Sequence, residues 1–207
     1  MTKGVCLVLT VTFLLSCASK NETKNPDELH QKKDTTIATH GSNPYAVVDL
    51  SPMDMSYFPV DYSKRKMAHD LNTPPIIRLI YSRPHRQGRV IFGNLLKYGE
   101  RWRLGANEAT EIEFFQNVNI QGKKVNAGRY IIYAIPYQEK WTIILNNDLY
   151  TWGLQIDSTK DLMRFDVPIR KAPVNFEYFT MVFQPMTGGA ELLMDWDNTE
   201  ARLPINF

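Results

Sequence analysis

Cysteine is nearly absent: the 207 residues hold two, Cys6 and Cys17. Both lie at the N-terminus, so the chain after position 17 has no thiol, which excludes a disulfide framework and thiol catalysis there. An excess of one charge is also missing, with 24 Lys and Arg against 22 Asp and Glu. That balance excludes nucleic acid as a partner, because such recognition shows as a basic excess on one segment. Long apolar runs are scarce. The single one, Gly4 to Leu15, is shorter than the ~20 residues that a membrane-spanning helix needs. There is no Gly-x-Ser-x-Gly elbow, no phosphate-cradling Gly-x-x-x-x-Gly-Lys and no dinucleotide fingerprint. The four histidines, His30, His40, His69 and His85, stand apart from one another at no metal-ligand spacing. No metal and no cofactor is therefore expected, and no repeat of solenoid length is visible.

The one apolar run is informative. It follows Lys3 and closes on Leu14-Leu15-Ser16-Cys17, the pattern of a bacterial lipoprotein signal. Residues 1–16 are expected to be removed and Cys17 to become a lipidated N-terminus, with an ordinary secretory signal as the alternative. Lipid on Cys17 then makes the membrane a partner, since stable anchoring takes two or more acyl chains. Ala18 and Ser19 carry no acidic retention signal, which points to the outer membrane, facing the periplasm or the cell surface. Residues 17–43 are polar and scarcely apolar, a composition that cannot repay the entropy of ordering. They read as a disordered tether reaching ~28 Å as a flexible coil. His30 and His40 fall within it as solvated linker residues.

Residues 44–207 change character and read as one all-β domain. Ile77, Leu79 and Tyr81 alternate with Arg78, Ile80 and Ser82, and Ile112 and Phe114 alternate with Glu111 and Glu113. Tyr130 to Ile135 and Trp141 to Leu145 predict a hairpin with two apolar faces. Phe179, Met181 and Phe183 predict another strand, turned by Thr187-Gly188-Gly189 into Ala190 to Trp196. A further turn is expected at Asn198-Thr199, and a short helical turn near Lys64 to Ala68. About nine strands without an amphipathic helix between them predict an antiparallel β-sandwich or partly closed barrel. Trp141, Trp152 and Trp196 are expected to anchor the core.

The densest stretch contains Tyr81-Ser82-Arg83-Pro84, then Gly88-Arg89-Val90-Ile91-Phe92-Gly93, then Trp102-Arg103-Leu104-Gly105-Ala106-Asn107-Glu108-Ala109-Thr110. Further on stand Ala127-Gly128-Arg129-Tyr130, Trp141-Thr142-Ile143, Trp152-Gly153 and Trp196-Asp197-Asn198. Through these motifs the chain resembles the bacterial family of domain of unknown function 2911 from about Leu50 to Phe207. The resemblance implies an exported or lipid-anchored protein and brings no activity with it.

Arg83, Arg86, Arg89, Arg101 and Arg103 meet only Glu100 and Glu108 here, a local basic cluster in a nearly neutral domain. A guanidinium fork suits carboxylates, phosphates and sugar acids. One reading is a ligand site built from Arg83, Arg89, Trp102, Arg103, Asn107 and Glu108. The other is a structural network in which Glu108 pairs with an arginine and Trp102 is core. Glu111 and Glu113 share a strand face ~7 Å apart, a spacing that would suit an inverting glycosidase but reads first as an ordinary solvated face. Three functions follow. The first is a non-enzymatic envelope lipoprotein binding a glycan, a small anionic ligand or another envelope protein. The second is a polymer hydrolase using Glu108 as acid or base, and the third is a scaffold without a ligand-sized pocket.

Overall fold

The computed structural model describes residues 51–207, which belong to one compact unit. The expected signal peptide, Cys17, the tether, His30 and His40 lie outside the described residues. Nine strands and one short helix follow in chain order: β1 (Met53–Phe58), α1 (Tyr62–Met67), β2 (Ile77–Ser82), β3 (Glu111–Phe114), β4 (Val118–Ile120), β5 (Lys123–Val125), β6 (Gly128–Pro136), β7 (Lys140–Asn146), β8 (Asp161–Met186) and β9 (Gly189–Asn206). They make one open antiparallel sheet in the order β1-β2-β3-β6-β7-β8-β9-β4-β5.

β8 is what folds this sheet over. Its first part pairs with β7, from Asp161 opposite Asn146 to Pro168 opposite Lys140. Its second part pairs with β9, from Ile169 opposite Ala201 to Met186 opposite Gly189, with register shifts between Lys171 and Thr180. One strand therefore serves both halves, and their inner faces close on a shared core. Leu79, Ile112 and Ile143 contribute from one half, and Met181, Leu192 and Leu203 from the other. The Ser56 hydroxyl in β1 donates to the Met181 carbonyl at 2.6 Å, joining the two halves near that edge. The apolar outer face of the β6-β7 hairpin is occupied too: Ile131, Tyr133 and Ile144 pack with Ala109 and Ile156 in a second, smaller cluster.

The turn expected at Asn198-Thr199 is corrected. β9 runs straight through it, and the alternation changes phase there instead. Ala190, Leu192, Met194 and Trp196 are buried on one parity, Ala201, Leu203 and Ile205 on the other. Asp197, with φ at 55°, supplies the left-handed residue at this point, and the pairing opposite is irregular between Lys171 and Phe176. A bulge inserts a residue so that both segments keep their apolar side inward. Trp141 and Trp196 are core as expected, whereas Trp152 is corrected to a surface residue, 42% exposed. It sits in a loop held by an isolated bridge to Glu108, beyond the end of β7.

Glu111 and Glu113 do share a face, and it is lined with cross-strand ion pairs. Glu113 pairs with Arg78 of β2, and Glu111 lies 3.6 Å from Arg129 of β6. Half-buried, each carboxylate is held by a neighbouring strand.

Candidate functional site

Between β2 and β3 the chain leaves the sheet for a long irregular connection that carries most of the sequence motifs. Trp102 anchors it. Its backbone exchanges hydrogen bonds with Ala134 of β6, at 2.7 and 2.8 Å, so the segment is locally extended. Extended backbone alternates its side chains, so burying Trp102 turns Arg101 and Arg103 away from the core. The Trp102 ring stacks on Trp196 at 5.8 Å and meets Phe179, Trp141 and Phe92 edge-on at 4.8, 5.4 and 5.9 Å. Gly105, at φ 155°, follows at a close approach: a Cβ there would stand 3.0 Å from the Ser82 carbonyl oxygen.

A second loop closes over Arg103. The Gly153 N–H donates to the Asn107 carbonyl at 3.2 Å. A Cβ on Gly153 would fall 2.2 Å from Arg103 Cδ and 2.7 Å from the Asn107 carbonyl oxygen, so only glycine lets this loop lie against the arginine stem. Arg103 is half-buried as a result, and burial lowers its pKa from the usual arginine value. An arginine so shifted is still a cation near neutral pH. Its Nη1 is buried with no hydrogen-bond partner.

Arg103 sits where two cavities meet. The first, of about 370 Å³, is also lined by Arg89, Lys97, Leu95, Leu96, Trp102 and Trp196. The second, of about 390 Å³, is completed by Gly99, Gly153 and Ile156. Glu100, Arg101, Arg103 and Leu154 line both, and Leu154 is 74% exposed between them. Both are of ligand size. No cation of this cleft forms an ion pair with any described residue. Arg101 Nη1 instead donates to the Ile156 carbonyl at 2.8 Å, and Arg89 Nε to the Arg86 carbonyl at 2.8 Å. Trp196 adds a second buried donor without an acceptor, its indole Nε1.

A family model described as "Protein of unknown function (DUF2911)" matches residues 63–205. The chain belongs to that family. No curated protein and no solved structure matches it.

Within this DUF2911 domain the expected site residues divide. Arg89, Trp102 and Arg103 are brought together in the first cavity, and Arg83, Asn107 and Glu108 line neither. Arg83 is a strap. It pairs with Asp54 at 3.2 Å and donates to the Phe179 carbonyl at 3.3 Å and the Thr180 hydroxyl at 3.2 Å, tying β2 to β1 and β8. Asn107, at φ 58°, turns the backbone so that its carbonyl meets Gly153. Glu108 then bridges Trp152 through its backbone and carries an exposed side chain, in no ion pair with a described residue. The arginine partner expected for Glu108 is thereby corrected: among the described residues no arginine pairs with it. Lys97, Glu100, Arg101, Leu154 and Trp196 belong to the cleft without having been singled out for it. The alternation of Arg101 and Arg103 about a buried Trp102 was the usable signal for Arg101. Leu154 comes from a loop some 50 residues away and had none. Among the described residues no three His, Cys, Asp or Glu side chains converge to hold a metal. His85 instead stacks on Tyr178 at 4.5 Å, with its Nε2 2.9 Å from Glu177.

The DUF2911 domain also holds a buried carboxylate pair on β9. Asp195 is 3% exposed, and burial followed by the charge of Glu200 pushes its pKa up to about 7. Burial raises Glu200 too, but donors from Arg202, at 2.6 Å, and Arg170 outweigh it and hold Glu200 below the usual value. Asp195 binds its proton more tightly folded than unfolded. Its stabilising contribution is therefore complete below the unfolded value of 3.8 and is lost as pH rises through about 7. Glu200 works oppositely, losing its contribution as pH falls below the ordinary glutamate range. Asp195→Asn keeps the neutral shape, so it is expected to stabilise the domain by roughly 2 to 4 kcal/mol at pH 8 and by no more than about 1 kcal/mol at pH 4.5. Urea titration at the two pH values checks this. An equal gain at both, or a loss at pH 8, contradicts it.

Proposed function

We propose that this protein is a membrane-anchored envelope lipoprotein whose β domain binds a small anionic ligand in the Arg103 cleft, acting by binding and not by catalysis. The single observation that carries the ligand reading is Arg103 Nη1, buried and unpartnered among cations that form no ion pair with a described residue. A buried donor without an acceptor costs about 1–3 kcal/mol, more when charged, and an arriving carboxylate or phosphate removes that cost with a charge-assisted hydrogen bond. Trp196, whose indole Nε1 is likewise buried without an acceptor, lines the same cavity, and Leu95, Leu96 and Leu154 supply an apolar wall for the rest of the molecule. The lipoprotein part rests on the Leu14-Leu15-Ser16-Cys17 motif.

Benzoate, with benzyl alcohol as its uncharged counterpart, tests the ligand reading by isothermal titration of the full chain. Benzoate is expected to bind at least tenfold tighter than the alcohol, and Arg103→Gln to bring it down to the level of the alcohol. Binding should weaken with added salt, because Arg101 and Lys97 on the rim are exposed and screened. Equal affinity for the two probes, or an unchanged benzoate affinity in Arg103→Gln, contradicts the reading.

A further inference from the structure

The cleft holds one carboxylate among its cations, and that carboxylate is unpaired. Glu100 lines both cavities beside Arg101 and Arg103, yet forms no ion pair with a described residue. An exposed carboxylate gains at most about 1 kcal/mol by pairing with a guanidinium, so one that stands unpaired is available to a ligand's cation. Contacts on either side fix the segments that carry the three residues. Arg101 Nη1 is committed to the Ile156 carbonyl at 2.8 Å, and the Arg103 stem is confined by Gly153. Glu100 stands in a turn fixed on its other side, with the Gly99 N–H donating to the Pro136 carbonyl of β6 at 2.8 Å and its own N–H to the Lys97 carbonyl at 3.3 Å. Residues of both charges thus line the same two cavities, and a ligand carrying both signs satisfies them together.

We propose that the cleft binds an amino acid or peptide terminus with an apolar side chain: carboxylate on Arg103, ammonium on Glu100, side chain against Leu95, Leu96 and Leu154. This rests on the anionic reading of the same cleft and adds the ammonium. The apolar part follows from the wall, since those three leucines line the first cavity. A sugar acid fits less well, because stacking a sugar needs an open ring face and Trp102 and Trp196 are only 4% and 2% exposed. The charges left over, Arg89 and Lys97, lie at the exposed rim, where water screens them.

Titration of the full chain with L-leucine, N-acetyl-L-leucine and L-leucinamide separates the two charges. Leucine is expected to bind about tenfold or more tightly than either derivative, each of which lacks one charge-assisted contact. Glu100→Gln, at an exposed position, is expected to erase the preference for leucine over N-acetyl-leucine, weakening leucine while N-acetyl-leucine, freed of the repulsion between two carboxylates, binds no less tightly. N-acetyl-leucine binding as tightly as leucine, or a leucine preference that survives Glu100→Gln, overturns the zwitterion and leaves the anionic reading standing. The same holds if leucine gives no binding where benzoate binds. Leucinamide binding as tightly as leucine overturns both readings, as does a cleft that takes neither leucine nor benzoate.

Discussion

Replacing Trp196 with Ala is expected to cost on the order of 3 to 5 kcal/mol, a large share of what holds a domain of this size folded. The side chain is 2% exposed and stands in the aromatic cluster between Trp102 at 5.8 Å and Phe179 at 5.9 Å. Its indole Nε1 has no acceptor, so no protein hydrogen bond is lost with it. The cost is therefore packing and cavity, partly offset by removal of the unpaired buried donor. Because Trp196 also lines the first cavity, the space left behind opens onto the cleft, and the bulged β9 backbone on its C-terminal side limits how far the walls can close over it. Urea or thermal unfolding measures the loss directly. Trp152→Ala is the matched control: at 42% exposure it should change stability by less than about 1 kcal/mol. A Trp196→Ala domain no less stable than the Trp152→Ala domain contradicts the packing described here.

Cys17→Ser is expected to abolish lipidation altogether. The acyl-bearing glyceryl group is carried on a thiol, and the serine hydroxyl is a far weaker nucleophile at neutral pH. With residues 1–16 still attached, the variant should accumulate as precursor and incorporate no labelled palmitate. Anchoring should change with it, since each buried methylene contributes about 0.8 kcal/mol and a chain without acyl groups keeps none of that. Labelling of Cys17→Ser at the wild-type level contradicts the lipoprotein assignment, whatever the domain binds.

Period-2 alternation made the fold legible. β2, β3 and the Phe179 to Trp196 hairpin show it in their residues, because each has one face against the core, whereas the β6-β7 hairpin was legible as continuous apolar runs buried on both faces. The bulge at Asp197 was not legible as a bulge. Asn198-Thr199 after a left-handed Asp reads the same whether the chain reverses or only slips one residue, and the tertiary pairing with β8 decides. Trp152 misled for a related reason. Large aromatics favour the core on average, but the neighbouring Gly153 has to reach Arg103, and that close approach fixes the loop with Trp152 outward.

The site was legible in part. A run of arginines around a tryptophan marks a basic cluster, but not which guanidinium groups are already bound. Arg83 and Arg103 look alike in the sequence. Arg83 has a carboxylate, a carbonyl and a hydroxyl within reach on β1 and β8, whereas Arg103 has a glycine over its stem and a bare Nη1. Glu100 and Glu108 are separated in the same way, by a turn bound to β6 and by a bridge to Trp152. These differences come from segments remote in the chain, and no local pattern encodes them.

A crystal structure of the protein grown with benzoate tests the central claim most directly. The carboxylate is predicted within hydrogen-bond distance of Arg103 Nη1, with the ring against Leu95, Leu96 and Leu154. Benzoate bound elsewhere on the domain while Arg103 Nη1 stays bare would contradict it.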